Sequence, residues 1–154
     1  MYKGEWSYGL QNGYGKLYFH DGSIYDGDFK NGYRHGHGVY AWPDGAEYEG
    51  DWILDQRNGH GFWFCPDRAQ YEGDWVDDKP HGFGVILEAD GTRYEGDWNQ
   101  GKQQGYGVQE KLTGERYEGG WYAGMPRDFG VSFEPRKRWS VAALHVSKSY
   151  EEPL

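Results

Sequence analysis

Three kinds of residue in this chain have the chemistry for catalysis or metal binding: six histidines, one cysteine and many Gly-x-Gly pairs. Gly-x-Gly pairs hold phosphate groups when they lie between a strand and a helix. A phosphate loop of the other common kind needs Gly-Lys-Ser or Gly-Lys-Thr, and neither tripeptide occurs here. The pairs therefore indicate glycines within strands.

The histidines and the cysteine do not predict a site either. His37 and His60 hold the same position in neighbouring copies of a repeat, which puts them roughly 10 Å apart, too far for one tetrahedral ion. Cys65 shares its repeat position with Phe19 and Trp42, so we interpret it as a packing residue. We expect no catalytic residue, no metal and no cofactor, and hence no enzyme.

The most regular feature of the chain is an aromatic repeat. The five-residue block YEGDW, or a close variant, starts at residues 2, 25, 48, 71, 94 and 117, an unbroken spacing of 23 residues. A Gly-x-Gly pair keeps the same spacing in the first five copies, beginning with Gly13 and Gly15. A fixed period this short is typical of stacked supersecondary units.

Each copy has the pattern of two strands and two turns. In the block at 48–52, polar and non-polar residues alternate, which is the period of a strand with one wet face. Pairs such as Asn31-Gly32 and Asp44-Gly45 are good turns. One such hairpin buries too little apolar surface to fold alone, so we expect stability to grow with the number of copies.

The strand glycines have two interpretations. Glycine within a strand marks the close approach of another group, or it permits a bulge or a strong twist. We expect the rings of the first strand to lie over the glycines of the second, and twisting or bulging remains the alternative. The ring-bearing structural anchors are Tyr25, Tyr48, Trp52, Tyr71, Trp75, Tyr94, Trp98, Tyr117 and Trp121.

These motifs resemble those of the MORN (membrane occupation and recognition nexus) repeat family. The family's unit of about 23 residues runs close to YEGxW, Gly, HGxG and DG, as in YDGDF-KNGYRHGHG and YEGDW-VDDKPHGFG here. The resemblance implies an all-β fold, an elongated and twisted antiparallel β-meander of six hairpin repeats over residues 1–134. Family members act mostly as scaffolds and adaptors, often in cilia, flagella, basal bodies or the cytoskeleton.

The last copy and the tail depart from the pattern. The sixth copy has Gly120 in place of an acid and Asp128 in place of a glycine. In the segment 135–154, apolar residues from Trp139 to Tyr150 follow the spacing of one helix face. We predict that this segment is a short helix or tail that caps the open edge of the last strand. Docking on a partner or on a second copy of the chain, and a frayed tail, are the alternatives.

The charge of the chain is −9, which argues against nucleic acid and disfavours anionic membrane as partners. A run of acids lies on the wet face of the first strands, and it is either solvated or a surface for a basic partner. The short basic run 136–138 is the one feature that favours an anionic membrane, and it has only three charges. The acids of the central copies are Glu49, Asp51, Glu72, Asp74, Glu95 and Asp97.

The remaining aromatic residues predict a binding surface. A single open sheet has no second layer to cover both faces, so some rings should form an exposed groove for a helix or an extended peptide. We therefore expect a cytoplasmic scaffold that binds a protein and pairs with itself end to end, in a ciliary, flagellar or cytoskeletal assembly. A phospholipid-headgroup module and a regulatory arm of a larger enzyme are the alternatives. The predicted partner-binding residues are Tyr14, Tyr40, Trp63, Phe83, Tyr106 and Phe129.

Overall fold

The computed structural model describes residues 1–127 and 129–135. In these ranges the chain forms one 13-stranded antiparallel sheet, and the described residues include no helix. The strands are β1 (Tyr2–Ser7), β2 (Leu10–Tyr18), β3 (Ile24–Lys30), β4 (Tyr33–Ala41), β5 (Glu47–Ile53), β6 (Gln56–Cys65), β7 (Ala69–Val76), β8 (Lys79–Glu88), β9 (Arg93–Asn99), β10 (Lys102–Glu110), β11 (Arg116–Tyr122), β12 (Met125–Pro126) and β13 (Val131–Phe133).

The topology is a simple meander. Each strand from β1 to β11 pairs with the next one along the chain, and β13 pairs with β11. Copies one to five are therefore hairpins joined edge to edge, which confirms the predicted all-β fold. In the sixth copy β12 and β13 share one edge of β11 at its two ends. The helix predicted in the tail falls on residues outside the described ranges.

Two kinds of turn alternate along the sheet. The turn inside each hairpin has two residues with positive φ, for example 49° at Asn31 and 84° at Gly32. Such turns match the right-handed twist of the strands that they join. Three of the five turns between hairpins place an Asp before a Gly, and in the first of them the Asp21 carboxylate accepts a hydrogen bond from the Ser23 N–H at 2.8 Å. The predicted alternation of turn classes is therefore present.

The core is a single layer of rings on one face of the sheet. We call this the Tyr/Trp face, because it carries the buried anchors at 0–7% exposure, and the opposite face the acidic face. The Tyr48 ring meets Trp52 of its own strand and Trp75 of the next copy, both at centroid distances of 5.2 Å and nearly perpendicular. This contact recurs from copy to copy, so each hairpin completes its neighbour's core.

The two glycines of each pair have different roles. A Cβ at Gly61 would lie 2.3 Å from the Tyr48 hydroxyl oxygen, so the ring lies over this glycine. Gly59 instead has a φ of +76° and lies in β6 where the β5–β6 register shifts. Both interpretations of the strand glycines are therefore correct, one for each member of the pair.

Candidate partner-binding surface

The six predicted partner-binding residues do not form one groove. Tyr40 and Trp63 both lie opposite Tyr48 in the strand registers, which places them on the Tyr/Trp face. Phe83 lies opposite Asp97, which places it on the acidic face. Tyr14 and Tyr106 occupy the same repeat position as Phe83 and share that face. Phe129 is 88% exposed and lies outside the strands.

The split has a simple cause. In the repeat, Tyr14 and Tyr40 are offset by three positions, and residues an odd number apart on a strand point to opposite faces. The expectation of a single groove was therefore wrong in its geometry, and the structure offers two separate aromatic surfaces.

The acidic face carries exposed aromatic rings between carboxylates. Tyr14, Phe83 and Tyr106 are each at least half exposed. The Tyr14 hydroxyl donates a hydrogen bond to Asp26, and the Lys16 ammonium lies 2.8 Å from the same carboxylate. These two donors, Lys16 first, lower the pKa of Asp26. The ring positions on this face are thus fixed in part by the acids beside them.

Half of the acidic residues have a structural role that the sequence did not reveal. Asp51 Oδ2 accepts a hydrogen bond from the His60 N–H at 3.0 Å, beside the positive-φ glycine of the bulge. Asp74 and Asp97 accept the equivalent bonds from Phe83 and Tyr106 at 3.1 and 2.9 Å. These acids stabilise the bulges, whereas the glutamates two positions earlier, such as Glu49 and Glu72, extend toward solvent.

A sequence signal for this role exists in the sixth copy. There Gly120 replaces the acid and Asp128 occupies the position of the bulge glycine. The acid and the glycine are lost together, as a mutually dependent pair would be.

Of the remaining acids, Glu49 and Glu72 have side chains exposed by 58% and 66%, each 3.6 Å from a histidine Nε2.

On the Tyr/Trp face, two arginines fasten neighbouring hairpins together. Arg34 Nε donates to Asp55 Oδ1 at 3.0 Å, and its Nη2 donates to the Asp55 carbonyl at 2.9 Å. The guanidinium carbon lies 4.6 Å from the centroid of the Trp52 ring. Arg57 makes the same contacts one copy later. We call these two pairs, Arg34 with Asp55 and Arg57 with Asp78, the clasps.

The clasp residues change in concert along the chain. A backbone bond joins successive hairpin turns at every step, for example from the Gly101 N–H to the Pro80 carbonyl at 2.8 Å. The side chains of the two residues that this backbone bond joins differ from step to step. The backbone N–H groups of Arg34 and Arg57 donate to the clasp carboxylates, whereas proline has no N–H to donate, and the residue that faces Pro80 is a glycine. The five steps carry Gln11 with Gly32, Arg34 with Asp55, Arg57 with Asp78, Pro80 with Gly101, and Gln103 with Gly124.

An open groove lies where the clasps stop. It has a volume of about 330 Å³, and we call it the trough. Proline at position 80 is shorter than the arginine that fills the same position in the two preceding copies, so the face is less covered there. The trough is lined by Arg57, Trp63, Tyr71, Trp75, Asp78, Pro80, Ile86, Trp98 and Gly101.

Comparison with known proteins agrees with this architecture. The model of the MORN repeat matches five consecutive stretches, residues 2–24, 25–47, 48–70, 71–93 and 94–114. The chain belongs to the MORN repeat family. A comparison with curated proteins gives no match. The sixth copy lies beyond the matched residues, although Tyr117 and Trp121 of β11 keep the anchor hydrogen bonds of the MORN array, at 2.9 and 3.2 Å.

Among solved structures, the MORN array is similar to the TCP domain of SAS-4 (dCPAP) from Drosophila melanogaster, determined in complex with a proline-rich motif of Ana2 (dSTIL). The sequences are 9% identical and the TM-score is 0.44. The match covers 68% of this chain and 58% of that chain. A likeness of this size carries no conclusion about function.

The part of the MORN array that the structure describes contains neither a metal-binding cluster nor a membrane-crossing helix. No group of three His, Cys, Asp or Glu side chains there is arranged to hold a metal ion. Within the same residues, no helix has the length and apolar character needed to cross a bilayer.

The clasps give a prediction that uses pairs of residues already present in the MORN array. We expect Arg34→Gln and Asp55→Gly each to lower the free energy of unfolding by ~1–2 kcal/mol, because each change leaves one half-buried charge without its partner. The double variant recreates the Gln11 and Gly32 pair, so it should cost ~1 kcal/mol less than the sum of the single changes. Urea unfolding of the four proteins measures this coupling, and strictly additive losses would show that the two side chains are independent.

The buried tyrosines predict a loss of stability at alkaline pH. Burial raises the pKa of the Tyr25, Tyr48, Tyr71 and Tyr94 hydroxyls well above the usual value of about 10. The folded state therefore favours the neutral hydroxyl, and its stabilisation is complete below about pH 10 and is lost as the pH rises further. Urea unfolding at rising pH should show this decline.

A matched pair of variants tests the alkaline prediction. Tyr48→Phe removes one buried hydroxyl, so the decline should be shallower, whereas Tyr8→Phe changes a fully exposed ring and should leave it unaltered. A decline that is identical in the two variants would assign the pH dependence to other groups.

Proposed function

We propose that the chain is a non-enzymatic scaffold that binds a segment of another protein on the Tyr/Trp face of its sheet. The observation that carries this proposal is the trough, an apolar groove that no described segment of the chain covers. Grooves with apolar and aromatic walls are the usual sites for helices and extended peptides. The scaffold and adaptor roles that the family resemblance implies support the same conclusion.

The Tyr/Trp face is preferred to the acidic face for a physical reason. The trough is concave and has rings held in place by neighbouring copies, so a partner would lose little free energy in ordering the surface. The aromatic rings of the acidic face stand singly between charges, and scattered rings of this kind are normal on a protein surface.

The experiment compares the two faces directly. A partner is first identified by cross-linking in cells and then purified, and its affinity is measured by titration calorimetry. We expect Trp63→Ala to weaken binding by at least about tenfold, as for truncation of a central aromatic contact. The matched control is Phe83→Ala combined with Tyr106→Ala, which should bind as the wild type does.

Two other outcomes would overturn the proposal. Loss of binding in the acidic-face variant alone would move the site to that face, and unchanged binding in both variants would remove it from the aromatic surfaces. Thermal melting of each variant shows that the fold is kept, since Trp63 is only partly buried.

We further propose, on the family resemblance alone, that this scaffold acts in the cytoplasm in a ciliary, flagellar or cytoskeletal assembly. Fluorescence microscopy of a tagged copy in ciliated cells tests the location. Enrichment along the axoneme, at the basal body or on cortical filaments is expected. A tagged copy confined to another compartment would contradict it.

A further inference from the structure

We infer that the trough binds the guanidinium group of an arginine in the partner segment. This inference rests on the proposed function and names the side chain that the groove recognises. At the equivalent place in two other steps of the array, an arginine of the chain itself lies against the aromatic rings.

The two clasps are occupied examples of the site. The Arg34 guanidinium lies 4.6 Å from the ring centroid of Trp52, 5.4 Å from that of Tyr40 and 5.9 Å from that of Tyr25. Its side chain is 20% exposed, so the cation is largely removed from water against aromatic rings. Cation–π attraction is strongest in such a desolvated setting and with tryptophan.

Between the fourth and fifth copies, most of the rings that surround a clasp arginine are still present, but the arginine is not. The positions of Tyr25, Tyr40 and Trp52 are held two copies later by Tyr71, Ile86 and Trp98, and all three line the trough. Two of the three rings are thus retained, including the tryptophan. Pro80 stands where the guanidinium would originate, and Gly101 stands where its carboxylate partner would be.

The lining of the trough carries one guanidinium, Arg57, and one carboxylate, Asp78, which are paired with each other at 3.0 Å. Asp78 lies at the rim of the trough with a side chain 43% exposed, and both of its bonds from Arg57 nitrogens are accepted by Oδ1. A carboxylate has acceptor capacity for more than one guanidinium, so Oδ2 is able to receive a second one. The net charge of −9 also attracts basic segments in preference to acidic ones.

A double substitution tests the assignment by filling the trough from within. Pro80→Arg with Gly101→Asp rebuilds a clasp at the vacant step. Aspartate is compatible with the positive φ of Gly101, because Asp55 and Asp78 adopt a φ of 68° at the equivalent turns. The matched control is Gln103→Arg with Gly124→Asp, which builds a clasp one step further along and away from the trough. Both variants should melt at or above the temperature of the wild type.

The probes are three peptides that differ in one residue: acetyl-Ala-Leu-Arg-Leu-Ala-amide and its citrulline and norleucine analogues. Binding is followed by NMR through the indole N–H signals of Trp63 and Trp98. We expect the arginine peptide to shift both signals and to bind about tenfold more tightly than the citrulline peptide, which has the same shape without the charge. The rebuilt clasp should abolish the shifts, and the control variant should keep them.

Three results would overturn the inference. The first is that the norleucine peptide binds more tightly than the arginine peptide. The second is that the arginine peptide binds the Pro80→Arg, Gly101→Asp variant as tightly as the wild type. The third is that the arginine peptide shifts neither indole signal. The first of these identifies an apolar occupant. The scaffold proposal fails separately, when Trp63→Ala leaves the affinity for the cellular partner unchanged, so the two failures are distinguishable.

Discussion

We expect Gly61→Ala to lower the free energy of unfolding by about 3–5 kcal/mol. An alanine Cβ at this position would lie 2.3 Å from the Tyr48 hydroxyl oxygen and 2.4–2.5 Å from two carbons of its ring. The Tyr48 ring is itself fully buried between Trp52 and Trp75, so it has no free space into which to move. Overpacking of this kind costs ~1–3 kcal/mol, and the displaced ring also loses its hydrogen bond to the Asp51 carbonyl, which costs a further ~1–3 kcal/mol.

The measurement is urea unfolding monitored by tryptophan fluorescence, with Gly120→Ala as the matched control. A Cβ at Gly120 would meet only Arg127 Cβ at 3.8 Å, an ordinary contact. The control should be neutral within ~0.5 kcal/mol, because alanine also restricts the unfolded chain. Equal effects of the two substitutions would show that the ring-over-glycine contact has no special role.

The second large effect is expected for Trp52→Ala. Removal of a buried tryptophan costs ~3–5 kcal/mol, and here the loss should reach the upper end of that range. The Trp52 ring packs against Tyr25 and Tyr48, and its Nε1 donates to the Gly38 carbonyl at 3.1 Å. Its removal also uncovers one face of the Arg34 guanidinium.

Trp6→Ala is the control for this prediction. Trp6 holds the same repeat position in the first copy and is 59% exposed. We expect a loss below ~1 kcal/mol when the two variants are unfolded in urea. Similar losses in both would mean that the contact between copies contributes little, against the predicted dependence of stability on copy number.

The sequence predicted the architecture because local patterns determine it. The alternation in blocks such as 48–52 and the turn pairs such as Asn31-Gly32 define strands and hairpins without any distant contact. The shared face of the anchor rings was predictable for the same reason, since equivalent residues at a fixed period lie on one face of the sheet. Tyr117 departs from the pattern and is only partly buried, because among the described residues its ring packs on Trp121 of its own strand and on no tryptophan of a following copy.

The surfaces were harder to predict, because they depend on contacts between copies. The clasp residues Arg34 and Asp55 are 21 positions apart and meet only when successive turns come together. The role of Asp51 depends on the bulge at Gly59, and its only sequence signal is the joint loss of the acid and the glycine in the sixth copy. The division of Tyr14 and Tyr40 between two faces, in contrast, follows from their odd offset in the repeat and was available from the sequence.

The uneven placement of the clasps disfavours some of the wrong pairings that repeated hairpins can form during folding. Nearly identical hairpins are prone to misassembly, in which one copy loops out and the next takes its place. If the fourth copy were skipped, Arg57 would face Gly101 and its guanidinium would be enclosed by rings with no carboxylate. If the second were skipped, Gln11 would face Asp55. The clasps thus disfavour skipping of the second or the fourth copy, whereas skipping of the third would still pair Arg34 with an aspartate, Asp78.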